Sequence, residues 1–316
     1  MEHLAAAKKQ FSILGLGIFA FLGIGTLIQL LLIAVINTFL PQWLEYPWSF
    51  WIVTFAPIYL IAFPLSLLIL RKAPPKALPR RSLKPREILI LAMISVFMMY
   101  AGNLFGTVIT TLLQAVSGQS IGNPILSYAM DTAFLPKILF LAILAPVIEE
   151  YVFRKQLIDR MHPYGEKTAV IVSALMFGLF HGNLAQLFYA FTLGLVFGFV
   201  YLKTGKLRYS IGLHMLINCM GSVVAPLFLE KIPLMDTAAP TPVTPWTIAF
   251  SVYTFLLLGS VIAGLILFIR HRKVTFSEAE SELPKNHRFR TIYLNAGMLL
   301  FLLGCFAMIA LNSILA

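Results

Sequence analysis

Long uncharged runs separated by short basic segments dominate this chain. A helix that crosses about 30 Å of hydrocarbon needs roughly 20 apolar residues. On that rule the pattern predicts nine spans, near 11–38, 48–70, 88–116, 137–158, 166–182, 184–203, 208–228, 246–270 and 291–314. The first run follows Lys8 and Lys9 and extends from Gln10 to Leu44. It is far longer than the roughly 7–15 apolar residues of a cleavable signal peptide, so it reads as a retained first span. The expected fold is all-α: a polytopic transmembrane helix bundle of about eight or nine helices.

Composition strengthens that reading. Of 316 residues, 59% are hydrophobic and 12% charged, where a soluble domain carries about 25% charged residues; the mean hydropathy is +0.87. The net charge of +11 invites a nucleic-acid reading, but its distribution argues against one. Basic residues sit between apolar runs, as cytoplasmic loops do under the positive-inside rule. With the amino terminus inside, the inner segments are 1–10, 71–87, 159–165, 203–208 and 271–290. All of the 24 Lys and Arg except Lys137 and Lys231 then lie in or beside them. The lipid bilayer is therefore an expected partner and nucleic acid is not.

The Pro- and basic-rich linker Arg71–Glu87 reads as a topology-setting loop that touches anionic headgroups. Residues 117–136, uncharged until Asp131, are expected to lie along the outer interface, and 273–290 to be polar and mobile. Two cysteines, Cys219 and Cys305, both inside apolar runs, give no disulfide framework and no metal-ligand spacing.

Ionisable groups inside a span cost about 2.5–3.5 kcal/mol each at the helix centre, and three places in this chain carry them. In Pro146-Val-Ile-Glu149-Glu150-Tyr-Val-Phe153-Arg154, Glu149 lies about a dozen residues into the fourth span, roughly 18 Å along its axis. Glu150 and Arg154 are four apart and share a face, so they can pair; Glu149 is turned from Glu150 by about 100°. One arginine neutralises one carboxylate, which leaves Glu149 available for chemistry. Pro146 strips the Ala142 carbonyl of its helical donor and permits a kink just before the two acids. The second place is Phe177-Gly-Leu-Phe-His181-Gly-Asn183. The third is His214-Met-Leu-Ile-Asn218, where His and Asn point the same way.

Each histidine alone is as readily a helix–helix hydrogen-bonding group. Together with two glutamates and an arginine they favour a polar cavity within the bundle. A carboxylate and an imidazole can position and deprotonate water, while a second imidazole and an amide can donate to an oxyanion. No serine or cysteine stands beside a base, and Cys219 faces away from Asn218, so water is the expected nucleophile.

The runs Glu149-Glu150-x-x-x-Arg154, Phe177-x-x-x-His181 and His214-x-x-x-Asn218, in this order on separate spans, resemble the three signature motifs of the CAAX protease and bacteriocin-processing (CPBP, or Abi) family. That family includes the Rce1-type prenyl-protein proteases. The resemblance covers about residues 137–228. It implies a glutamate-dependent intramembrane endopeptidase with a cavity open to the cytosol, acting on a membrane-associated peptide or protein. Glu149 and His181 would activate water, and His214 and Asn218 would form the oxyanion hole. Glu150, Arg154 and Phe177 would support the site. Two His and a Glu are a zinc-like ligand set, but the HExxH spacing of helical zinc proteases is absent, and no metal or cofactor is expected.

The expected organisation is one integral membrane domain, 1–316, with a catalytic core near 137–228 and accessory helices near 11–116 and 246–314. Its expected place is a bacterial plasma membrane with the amino terminus cytoplasmic, or the ER membrane in a eukaryote. Two other readings stay open: a non-catalytic scaffold or immunity factor of the same family, and an ion-coupled transporter using the two glutamates.

Overall fold

The computed structural model describes residues 2–46, 48–118, 134–232, 243–279 and 281–315. Among them every regular element is helical. Seven helices are long and apolar enough to cross a membrane. These are α1 (Glu2–Phe39), α2 (Ser49–Leu70), α3 (Pro85–Ser117), α6 (Leu184–Thr204), α7 (Leu207–Lys231), α8 (Pro245–His271) and, following a short amphipathic helix α9 (Lys285–Tyr293), α10 (Ala296–Leu315). Two further helices lie inside the bundle. Helix α4 runs without a break over 134–161 and carries Lys137, Glu149, Glu150 and Arg154; α5 (Glu166–Phe180) has only 15 residues. Both occupy the ranges that the apolar pattern predicts. The expected interfacial segment 117–136 falls largely outside the described residues, Asp131 included.

The outer surface is apolar in a way water would not tolerate. Leu60 is 74% exposed, Phe255 76% and Leu303 66%, and together with their neighbours they form a continuous lipid-facing shell. The chain is an integral membrane protein. Its interior follows membrane packing rules, in which small residues let backbones approach. On α6, Gly194 lies against Ala174 of α5, and Gly102 of α3 lies against Tyr189 and Thr192 of α6. Helix α6 is thereby clasped between α3 and α5.

Three helices contain a stretch of π-helical turns followed by a proline. The stretches are Pro57–Ala62 before Pro64, Lys137–Leu144 before Pro146, and Met220–Val224 before Pro226. Proline has no N–H to offer and crowds the carbonyl four residues back; widening the preceding turn relieves both problems. The disturbance expected at Pro146 therefore takes the form of a π-helical stretch. It also shifts the open acceptor by one residue. The Ala145 N–H bonds to the Phe140 carbonyl, and Pro146 cannot serve the next one, so it is the Leu141 carbonyl that is left without a helical donor. A second π-helical stretch, Tyr151–Gln156, follows the two glutamates. Phe140 of α4 stacks on Trp51 (centroids 5.6 Å apart) and Phe55 (5.0 Å), which moors α4 to α2.

The basic linker is tied down at the charged end of the bundle. Arg160, buried, donates to the carbonyls of Leu70 (3.1 Å) and Ala73 (2.8 Å). The Lys76 N–H donates to the Asp159 carbonyl (2.7 Å) and the Arg81 N–H to that of Thr204 (2.8 Å). The stretch 273–290, expected to be mobile, is held as well. The N–H groups of Ser281 and Leu283 donate to the carbonyls of Pro163 and Tyr164, Leu283 is buried, and 285–293 is helical. Part of its polarity is satisfied by partners on the protein.

Two glycine contacts set helix spacing and make a stability prediction. Ala in place of Gly in an exposed helix normally gains about 0.5–1 kcal/mol. At Gly297 of α10 a Cβ would fall on the Ser12 carbonyl of α1, and at Gly264 of α8 on the Met93 carbonyl of α3. Gly297→Ala and Gly264→Ala are each expected to lose stability, by about 1–3 kcal/mol, seen as a lower unfolding midpoint in detergent. Gly259→Ala, where nothing lies within 4 Å, should leave it level or raise it.

Candidate active site

The polar cluster is built from α4, α5 and α7. Glu150, one turn before Arg154, receives the guanidinium in a two-point pair: Nε to Oε2 at 3.0 Å and Nη2 to Oε1 at 3.1 Å. Both side chains are fully buried. The remaining guanidinium nitrogen, Nη1, donates to the Ser173 hydroxyl (3.1 Å), which donates in turn to the Phe153 carbonyl (2.6 Å). The guanidinium also lies over the Phe177 ring, 4.7 Å from its centre. This meets the condition a buried ion pair must satisfy, with its donors and acceptors engaged.

His214 of α7 stands between the two acids. Its Nδ1 is 3.1 Å from Glu150 Oε1 and its Nε2 is 3.7 Å from Glu149 Oε2. An ionised carboxylate only accepts, so Nδ1 carries the proton and Glu150 sets the tautomer. The Nε2 side is too far from Glu149 for a direct hydrogen bond. Phe197 stacks on the His214 ring at 5.3 Å and Phe177 meets it edge-on at 5.6 Å, which fixes the ring plane. The two adjacent glutamates thus differ sharply. Glu150 is sealed and paired; Glu149 keeps 17% of its side chain exposed and makes no direct hydrogen bond among the described residues.

His181 closes α5, four residues after Phe177, and its Nδ1 is 2.8 Å from the Phe177 carbonyl. A carbonyl only accepts, so the proton is on Nδ1 and Nε2 is the acceptor. His181 is within electrostatic reach of Glu149 and His214 but bonds directly to neither. Asn218, one turn after His214, donates through Nδ2 to the Leu141 carbonyl at 2.9 Å. That is the acceptor left open by the π-helical stretch before Pro146. The second N–H of the amide has no partner among the described residues. Among the described residues, no three His, Cys, Asp or Glu side chains gather closely enough to hold a metal ion.

Sequence reasoning passed over several groups. Gly182 takes a positive φ of 64°, and two amides hold this turn. Asn183 donates to the His181 carbonyl (3.0 Å), and Asn312 of α10 donates to the Gly182 carbonyl (2.8 Å). Asn183 also caps α6 by accepting from the Gln186 N–H (2.9 Å), and Gln186 donates to the Tyr189 hydroxyl (2.9 Å). Glu149 acts electrostatically on Tyr189 and on Tyr59. A polar residue two positions after a histidine, in an otherwise uncharged run, was the available signal for Asn183. Ser173 and Asn312 carried none, since a lone Ser or Asn in a span commonly bonds within its own helix.

The buried pair allows a double-mutant test. Arg154→Met strands Glu150 and is expected to cost about 3–5 kcal/mol. Glu150→Leu combined with Arg154→Met should recover most of that loss. Unfolding midpoints of the two variants decide it, and equal losses in both would refute the pairing account.

Residues 131–220 match the sequence profile of a family described as type II CAAX prenyl endopeptidase Rce1-like. The chain is 27% identical over 148 residues to the membrane-embedded CAAX protease MroQ of Staphylococcus aureus (strain USA300), covering 44% of this chain and 57% of that protein. It is 31% identical over 81 residues to a Bacillus subtilis (strain 168) protein named as a membrane peptidase, YdiL, covering 24% and 32%. The chain thus spans about half the length of the first relative and a third of the second. No solved structure gives a significant match. The resemblance that the three motifs carry is shown over residues 131–220, which are similar to the Rce1-like type II CAAX prenyl endopeptidases.

Proposed function

We propose that this chain is a metal-independent, glutamate-dependent membrane endopeptidase, which hydrolyses a peptide bond in a membrane-associated peptide or protein. One observation carries the reading: of two adjacent intramembrane acids, one is locked by arginine while the other, Glu149, is partly exposed and faces an imidazole across 3.7 Å. A purely structural cluster has no use for the second acid, whose burial costs several kcal/mol.

The tautomers divide the work. His181 presents an acceptor nitrogen, so it orients a water by taking a hydrogen bond from it, and Glu149 removes the water's other proton as oxygen attacks the scissile carbonyl carbon. With Arg154 and Glu150 cancelling, one more proton shared between Glu149 and His214 makes the cluster neutral. His214 holding that proton can donate through Nε2 to the forming oxyanion, alongside the spare Asn218 N–H. Glu149 then hands its proton to the departing amide nitrogen as the C–N bond breaks. The charged end of the bundle would face the cytosol, in a bacterial plasma membrane, with the amino terminus on the same side.

Glu149→Gln keeps the shape and removes the base. Cleavage, followed by mass spectrometry of peptides released from membranes carrying either form, should fall by about 10²–10⁴-fold with the unfolding midpoint unchanged, and chelators should leave the wild-type rate intact. Turnover persisting in a folded Glu149→Gln protein would refute the proposal. Asn312→Leu frees the His181–Gly182 turn from α10. Because small misplacements at a reacting centre are costly, turnover is expected to drop on the order of 10-fold with KM little changed. A loss confined to KM would refute the positioning role.

A further inference from the structure

Away from the polar cluster, at the charged end of the bundle, the first turns of α1 and helix α9 leave a notch of about 230 Å³. It is lined by Leu4, Ala5, Lys8, His287, Arg290 and Thr291. Its charge is one-sided: two permanent cations and an imidazole, and no carboxylate. The neighbouring Arg288 is held by Glu282 (3.0 Å) and by the Leu283 carbonyl (3.1 Å). Lys8 and Arg290 form no ion pair or side-chain hydrogen bond among the described residues, although they come from segments some 280 positions apart in sequence.

The surroundings indicate the depth of the notch in the bilayer. Helix α9 buries Thr291 and Ile292 against the bundle and turns Phe289 outward, 65% exposed, beside Arg290. Phe289 packs on Tyr293 at 5.3 Å. An exposed phenylalanine backed by a half-buried tyrosine, among basic residues on a short amphipathic helix, is the composition of a helix lying in the headgroup layer. Just beyond it, α10 exposes Leu299, Leu300 and Leu303, an apolar flank of the kind that acyl chains cover.

We propose that this notch is a binding site for the phosphate headgroup of an anionic phospholipid, with Lys8 and Arg290 as its charge partners. A cavity of this size is below the roughly 300–1,000 Å³ that drug-sized ligands occupy, which suits a headgroup better than a peptide. Inorganic phosphate shares the chemistry of the charged half, but the apolar flank of α10 gives only the lipid a further contact.

Native mass spectrometry of the intact protein in detergent tests this, using phosphatidylglycerol against phosphatidylcholine of the same chains. Phosphatidylglycerol is expected to bind at least 10-fold more tightly. K8Q/R290Q should erase that preference, and K8R/R290K should restore it. K72Q/R86Q removes equal charge from the exposed linker and should change the preference less than 2-fold. Equal losses in the two glutamine pairs would mean diffuse attraction and overturn the site, as would unchanged selectivity in K8Q/R290Q. Inorganic phosphate competing as strongly as glycerophosphoglycerol, the soluble deacylated headgroup, with no advantage for the acylated lipid, would overturn the lipid assignment.

Discussion

The arrangement around α4 depends on the cost of carrying a carboxylate out of water. Glu150 has no solvent exposure, and an isolated buried charge of that kind is strongly destabilising. Nearly every other feature of the cluster follows from meeting that cost. Arg154 supplies two parallel donors, Ser173 occupies the guanidinium nitrogen left over, Phe177 covers its face, and His214 adds a third hydrogen bond to the carboxylate. Once the acid is satisfied in this way, His214 cannot rotate or change tautomer freely. Its second nitrogen is aimed at Glu149 as a consequence of how Glu150 is held.

The helical irregularities belong to the same account. A regular α4 would engage the Leu141 carbonyl within the helix. The π-helical stretch before Pro146 releases it, and Asn218 of α7 takes it up. A defect in one helix thereby becomes a specific bond between two helices, at the level of the polar cluster. In hydrocarbon, with no water to fill such an acceptor, the partner must come from the protein. That requirement docks α7 in the register that brings His214 beside Glu150. Irregular backbone and the polar cluster coincide here for a physical reason: the geometry that frees a carbonyl is the geometry that lets a neighbouring helix be keyed to it.

Much of this was legible in the sequence because hydrocarbon imposes few and strict rules. All nine predicted ranges contain helices, since no other structure satisfies a backbone in lipid except a closed barrel. The Glu150–Arg154 pair follows from i, i+4 spacing alone, and the separate facing of Glu149 from the roughly 100° turn between neighbours on a helix. What could not be read were relations across distant parts of the chain. The Asn312 bond to the Gly182 carbonyl spans 130 residues, and nothing in Ala-Leu-Asn-Ser marks that asparagine out. The tie between Lys76 and Asp159 was equally invisible, so the Pro- and Arg-rich linker read only as a topology-setting loop touching headgroups, and 273–290 read as mobile. Polarity predicts mobility only when water is the sole partner, and at the charged end of this bundle backbone carbonyls compete with it.

The Asn312 contact bears on how far a functional core can be separated from its helical surroundings. The family match stops at residue 220, yet the turn that carries His181 is gripped from α10, far beyond that boundary, and Met308 of the same helix packs on Gly182. Helix α10 is itself seated on α1 through the close approach of Gly297 to Ser12 and of Gly15 to Met298. A line of rigid contacts therefore runs from the amino-terminal helix, through the last one, to the backbone beneath an imidazole. A catalytic constellation must be held to within a fraction of an ångström, and loop turns do not hold themselves that closely. The accessory helices are thus part of what gives the cluster its geometry, and removing α10 would leave the motifs intact in sequence while loosening the turn that presents His181.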